Sequence, residues 1–230
     1  MAVRVSRTGV VDSHRCGLRV AGWAAIVAAL AFLVQPLSVG FLPFDLEEMR
    51  DPVELSRYWW AGTLQAAEFA VIAVSVLVLV AALRPVWVES AWGRATWVLG
   101  LASGMGFLLQ AALSAATYSW WLMQDASSFT PDPEARSAVL FGTFVAGYTF
   151  LGLANLASAG WLMGLAASGR RSGLIGAAFA AFAVFVAAIL TVGTLTGFTI
   201  PAVVIHLPLW LALGVKLLRS RPASEVVTGR

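Results

Sequence analysis

Glu68 stands inside an otherwise uncharged run, YWWAGTLQAAEFAVIAVSVLVLVAAL, from Tyr58 to Leu83. About 20 apolar residues match the roughly 30 Å hydrocarbon core of a bilayer. A carboxyl within such a run is costly to ionise, so it needs a partner, an ion, a proton path or a ligand. Helical spacing decides what shares its face. Gln65 precedes it by three positions and Ser75 follows by seven, so the three form one stripe.

Later apolar runs carry similar stripes: Ser103, Gln110, Ser114 and Thr117; then Tyr148, Asn155 and Ser158; then Thr191 and Thr194; and finally His206. At a rise of about 1.5 Å per residue, Gln65, Glu68, Gln110, Thr191 and His206 lie roughly 5 to 15 Å below the same membrane boundary. These five are the candidate ligand or proton site. Gln35, near the end of the first run, is a further candidate at that depth, and Asn155 lies deeper. A structural reading stands beside the functional one, because polar side chains between membrane helices contribute about 0.5 to 2 kcal/mol each as inter-helix hydrogen bonds without binding anything. His206 is read either as a partner of Glu68 or as a packing histidine. A direct pair would favour both charges and desolvation would oppose them, so the sequence leaves both protonation states open.

Other chemistries are excluded or disfavoured. Cys16 is the single cysteine, which rules out an intrachain disulfide and a thiolate metal cluster. His14 and His206 lie too far apart in the chain to suggest a bis-histidine haem, so no metal and no cofactor is expected. Ser103 and His206 belong to opposite sides of the membrane in the topology below, which argues against an intramembrane serine hydrolase. Gly100 with Gly104, Gly160 with Gly164 and Gly193 with Gly197 have the four-residue spacing of close helix packing rather than of a phosphate loop. No catalytic signature is present, and an enzyme is not the favoured reading.

The elements that must position these residues follow from composition. With 60% hydrophobic and 12% charged residues among 230, the chain has too little polar material to cover a soluble surface. The expected fold is all-α, a polytopic membrane helical bundle with six transmembrane helices. The spans are expected at about 18–40, 58–83, 95–118, 138–165, 173–195 and 199–218, between a basic tail over 1–17 and a polar tail over 219–230. The first run also has features of a secretory signal, with small residues at Ser38, Val39 and Gly40. Asp45 with Glu48, and Asp51 followed by Pro52 and Glu54, have helix-start spacing, which predicts a second helix beginning near Asp51. Ser90 is expected to cap the third span, Gly169 to stop the fourth, Ser172 to cap the fifth, and Pro208 to kink the sixth.

Placing the amino terminus inside puts Arg4, Arg7, Arg15, Arg19, Arg84, Arg94, Arg170, Arg171, Lys216, Arg219, Arg221 and Arg230 on the cytoplasmic side, twelve of the fifteen basic residues. Both termini are therefore expected in the cytoplasm. Trp59, Trp60, Trp120 and Trp121 would mark the outer interface, and Trp23, Trp87, Trp92, Trp97 and Trp161 the inner one. Three spans followed by three of opposite orientation permit an inverted-repeat plan, although no internal sequence repeat supports it.

The run RVAGWAAIVAALAFLV, the long loop before the second span, the turn GLAASGRRSGLIG and the closing LPLWLALGVKLLR resemble a family of six-helix bacterial integral membrane proteins of unknown function. The resemblance covers about residues 17–219 and implies the fold, but no activity and no functional residues. The expected role is a non-enzymatic membrane protein that binds a small or lipid-like ligand, or a membrane-protein partner or second copy, through an outward-facing polar interior. A small-solute or proton-coupled transporter is the alternative, and an intramembrane enzyme the next. The lipid bilayer is the expected surrounding, and no nucleic acid is expected as a partner.

Overall fold

The computed structural model describes residues 7–40, 59–87, 90–117, 133–197 and 199–220. The described residues are helical: α1 (Arg7–Gly40), α2 (Trp59–Ala82), the one-turn α3 (Arg84–Trp87), α4 (Ala91–Ala115), α5 (Pro133–Arg171), α6 (Ala177–Thr196) and α7 (Thr199–Arg219). Five stretches, Cys16–Pro36, Trp60–Ala82, Ala91–Ala115, Phe141–Arg171 and Ala177–Thr196, are long and apolar enough to cross a membrane. The surface agrees with that environment. Large apolar side chains such as Leu195 (74% exposed), Val192 and Trp23 point outward, while glutamines, serines, an asparagine and a glutamate are buried. A soluble protein shows the reverse.

Each long helix packs against its neighbours in chain order, and α7 returns onto α1, so the six close into a ring. The seam between α6 and α7 is the thinnest. Neighbours run antiparallel: the start of α1 meets the end of α2, where a Cβ at Gly17 would lie 3.5 Å from the Ala82 carbonyl oxygen, while Ser38 near the end of α1 meets Glu68 in the first half of α2. Aromatic rings fill the middle in two groups. Phe32, Phe69, Phe107 and His206 form one, and Trp87, Trp161 and Trp210 the other, with Trp161 stacked on Trp210 at 5.6 Å between centroids.

Glycine sets the inter-helix distances. A Cβ at Gly214 of α7 would stand 2.8 Å from the Gly22 carbonyl oxygen of α1, so these backbones touch. Gly100, Gly104 and Gly160 also lie where a Cβ would press on a neighbouring helix, as their spacing predicts. Gly197 does not. Its φ of +77° makes it the left-handed cap of α6, with nothing within 4 Å of an added Cβ, so it ends a helix rather than packing one.

Ser90 caps α4 as expected, its hydroxyl accepting from Gly93 N at 2.9 Å. Gly169 does not stop the fourth span. The helix continues to Arg171, and Gly173, at φ +74°, takes the left-handed position, with its N–H on the Arg170 carbonyl. Ser172 serves this same end by donating to the Gly169 carbonyl at 3.2 Å, and the N-cap of α6 is Gly176, which offers no side-chain acceptor. The fourth helix is thus longer than its apolar part, and α1 likewise reaches back to Arg7 into the basic tail, because helical pairing continues through polar residues when no proline intervenes. The expected start near Asp51, and the indoles Trp120 and Trp121, lie outside the described residues. Of the tryptophans read as an inner belt, Trp23 and Trp92 face outward, whereas Trp87 and Trp161 are 2% exposed and belong to the core. Trp97 instead lies under the Arg84 guanidinium, 5.4 Å from the ring centroid.

Candidate functional site

Near the carboxyl ends of α1 and α4 and the amino end of α2, six polar side chains are buried together: Gln35, Ser38, Gln65, Glu68, Gln110 and Ser114, each at most 6% exposed. The stripe read on α2 faces inward as a unit, since Gln65, Glu68 and Ser75 are all buried. Two hydrogen-bonded groups flank it. Toward α1, the Ser38 hydroxyl donates to Glu68 Oε2 at 2.6 Å. Toward α4, Gln110 Nε2 donates to Ser114 Oγ and Ser114 Oγ donates to Gln65 Oε1, both at 3.3 Å. Gly147 of α5 leaves Gln110 its place, because a Cβ there would lie 2.8 Å from Gln110 Oε1.

Ser38 carries one hydroxyl proton and has two acceptors in reach, Glu68 Oε2 and the Gln35 carbonyl oxygen at 3.0 Å. When Glu68 is a carboxylate, the hydroxyl donates to it. When Glu68 is protonated, its O–H can donate to Ser38 Oγ while the hydroxyl turns to the carbonyl. One bond rotation therefore accommodates either protonation state. Glu68 Oε1, Gln35 Oε1 and Gln110 Oε1 are buried with no hydrogen-bond partner among the described residues. Such atoms are rare in a finished interior and mark acceptors that a donating ligand or water could satisfy.

The other candidates have surroundings of their own. His206 is fully buried, its ring stacked on Phe32 at 4.6 Å and edge-on to Phe107 at 6.5 Å. Phe69, next to Glu68, stacks on the same Phe107 at 6.3 Å. Thr191 donates to the Ala187 carbonyl of its own helix at 2.9 Å, a back-bond that needs no ligand. Ser103 and Ser158 join α4 to α5 at 2.6 Å, seven positions from Gln110 along α4, or about 10 Å of helix. Asn155, one turn from Ser158, is fully buried, and both ends of its amide lack a partner among the described residues. Ser38 is the member that sequence reasoning missed. It falls three positions after Gln35, on the same helix face, and that spacing was the available signal.

Among the described residues no group of three or more histidines, cysteines, aspartates or glutamates could hold a metal ion. Comparison with family models, with curated proteins and with solved structures finds no match. The reading of the site therefore rests on its geometry.

Proposed function

We propose that the chain is a six-span membrane protein with both termini cytoplasmic, and that the buried polar cluster around Glu68 binds a small or lipid-like ligand without catalysing its conversion. The sixth span in this reading is α7, whose 21 residues give about 30 Å of helix. The observation that carries the proposal is the Glu68 carboxyl, 5% exposed, with one oxygen held by Ser38 and the other without a partner among the described residues. A purely structural acid would have both oxygens matched. Unmatched acceptors on α1 and α4 beside it favour a ligand that donates hydrogen bonds, or a partner helix presenting such a group.

The test is extraction of the full chain from membranes, followed by lipid and metabolite profiling against Glu68→Gln. A compound enriched with the wild type and depleted at least severalfold in the variant is the expected result. Identical profiles, with the variant equally folded, would overturn the proposal.

The Ser38 hydroxyl, able to serve either protonation state of Glu68, favours a proton-coupled carrier as the second reading. A solute flux in proteoliposomes driven by a pH gradient and abolished by Glu68→Gln would decide for it.

A further inference from the structure

At the opposite end of the bundle from Glu68, α5 and α6 enclose an open groove of about 680 Å³. That volume lies within the roughly 300–1,000 Å³ typical of ligand sites. Its floor is alanine: Ala166 and Ala167 from α5, and Ala177, Ala180 and Ala181 from α6. Methyl side chains make this lining apolar and offer no hydrogen bond to whatever lies against it. Met163 and Val184 form the outer walls and are 47% and 41% exposed.

The end of the groove has different chemistry. Arg170 and Arg171, both exposed, complete the lining where α5 turns toward α6. Among the residues whose side chains are described Glu68 is the acid, and it does not line the groove. Ala177 opens α6 there, and its positive dipole end is set against the negative end of α5 at Arg171, so the positive charge at this end of the groove comes from the two guanidinium groups. An apolar trough on the outward face of two membrane helices, closed by positive charge at the depth of a helix turn, is complementary to one kind of molecule. We infer that this groove binds a phospholipid with an anionic headgroup, its acyl chain on the alanine floor and its phosphate between Arg170 and Arg171. Basic pockets between membrane helices are suited to such headgroups.

The experiment is native mass spectrometry of the detergent-purified full chain with phosphatidylglycerol, with phosphatidylcholine of the same acyl chains, and with glycerol 3-phosphate. Wild type should prefer phosphatidylglycerol by about thirtyfold, as expected for two basic residues near an anionic group. In R170Q/R171Q the preference should fall below about twofold, with phosphatidylcholine binding retained. Ala181→Phe, which fills the trough and leaves both arginines, should weaken both lipids. Equal binding of the two lipids by wild type, or an undiminished preference in the double variant, would overturn the inference. So would glycerol 3-phosphate binding as tightly as the lipid, because the trough would then contribute nothing. If the arginine variant does not fold, Ala181→Phe decides, and unchanged lipid binding counts against the groove. In a Cys16→Ser background, cross-linking between copies through A181C without lipid preference would assign the face to a second copy instead. Glu68 enters none of these measurements, so failure here leaves the polar cluster's proposed role untouched.

Discussion

At the residue scale, a buried carboxyl is half matched, and its two oxygens lead to different expectations. Ser38→Ala removes the partner of Oε2, after which both oxygens of Glu68 stand without a described partner. Leaving a buried polar group unmatched costs about 1–3 kcal/mol, more for a charged one. An average inter-helix hydrogen bond in a membrane contributes only about 0.6 kcal/mol. The unfolding free energy of Ser38→Ala, measured by titration with denaturing detergent, should therefore fall by more than that average. Glu68→Gln keeps the shape and an acceptor for Ser38, so its stability should change by less than about 1 kcal/mol. A Ser38→Ala loss no larger than that of Glu68→Gln would show that the contact does not hold the carboxyl. The burial of Gln65, Glu68 and Gln110 was legible because a 3.6-residue period fixes which polar residues share a face. The partnership with Ser38 was not, since it depends on how α1 lies against α2, thirty positions away.

At the element scale, the ring closes because α1 and α7 approach until their backbones touch at Gly22 and Gly214. The Gly214 Cβ position is bounded by the Gly22 carbonyl oxygen at 2.8 Å and Ile26 Cγ1 at 2.7 Å. A carbonyl in an intact helix cannot rotate away, so Gly214→Ala must separate the two helices. Such overpacking costs about 1–3 kcal/mol. Gly142→Ala is the matched control, because an added Cβ there has nothing within 4 Å, and it should lose no stability. Equal destabilisation by the two, read from thermal unfolding in one detergent, would refute the seam. Spacing of four within one helix pointed to Gly100, Gly104 and Gly160, but Gly22 and Gly214 have no such signal because each meets its counterpart at the other end of the chain. Similarly, several glycines near Arg171 could have ended α5. The choice of Gly173 over Gly169 depends on the turn that leads into α6 and not on local composition.

At the scale of the whole molecule, apolar outer faces and polar side chains kept to the interior fit a membrane bundle, but neither fixes which end faces the cytoplasm. Charge supplies that argument. One end of the helix ring carries Arg84, Arg94, Arg170, Arg171, Lys216 and Arg219, and the polar cluster lies toward the other. Basic residues close to span ends are retained on the cytoplasmic side, where an anionic leaflet surface also attracts them. The groove proposed for an anionic phospholipid would then open to the inner leaflet and the Glu68 cluster toward the outside. In a Cys16→Ser background, single cysteines at Ser172 and at Ser128 separate the two orientations. Ser172 is exposed in the turn between α5 and α6, and Ser128 belongs to the connection between α4 and α5. A membrane-impermeant thiol reagent added to intact cells should modify S128C and leave S172C unmodified until the membrane is opened. The reverse pattern would invert the protein and turn the carboxyl site toward the cytoplasm. Modification of both in intact cells would remove the helix between them, α5, from the set of spans.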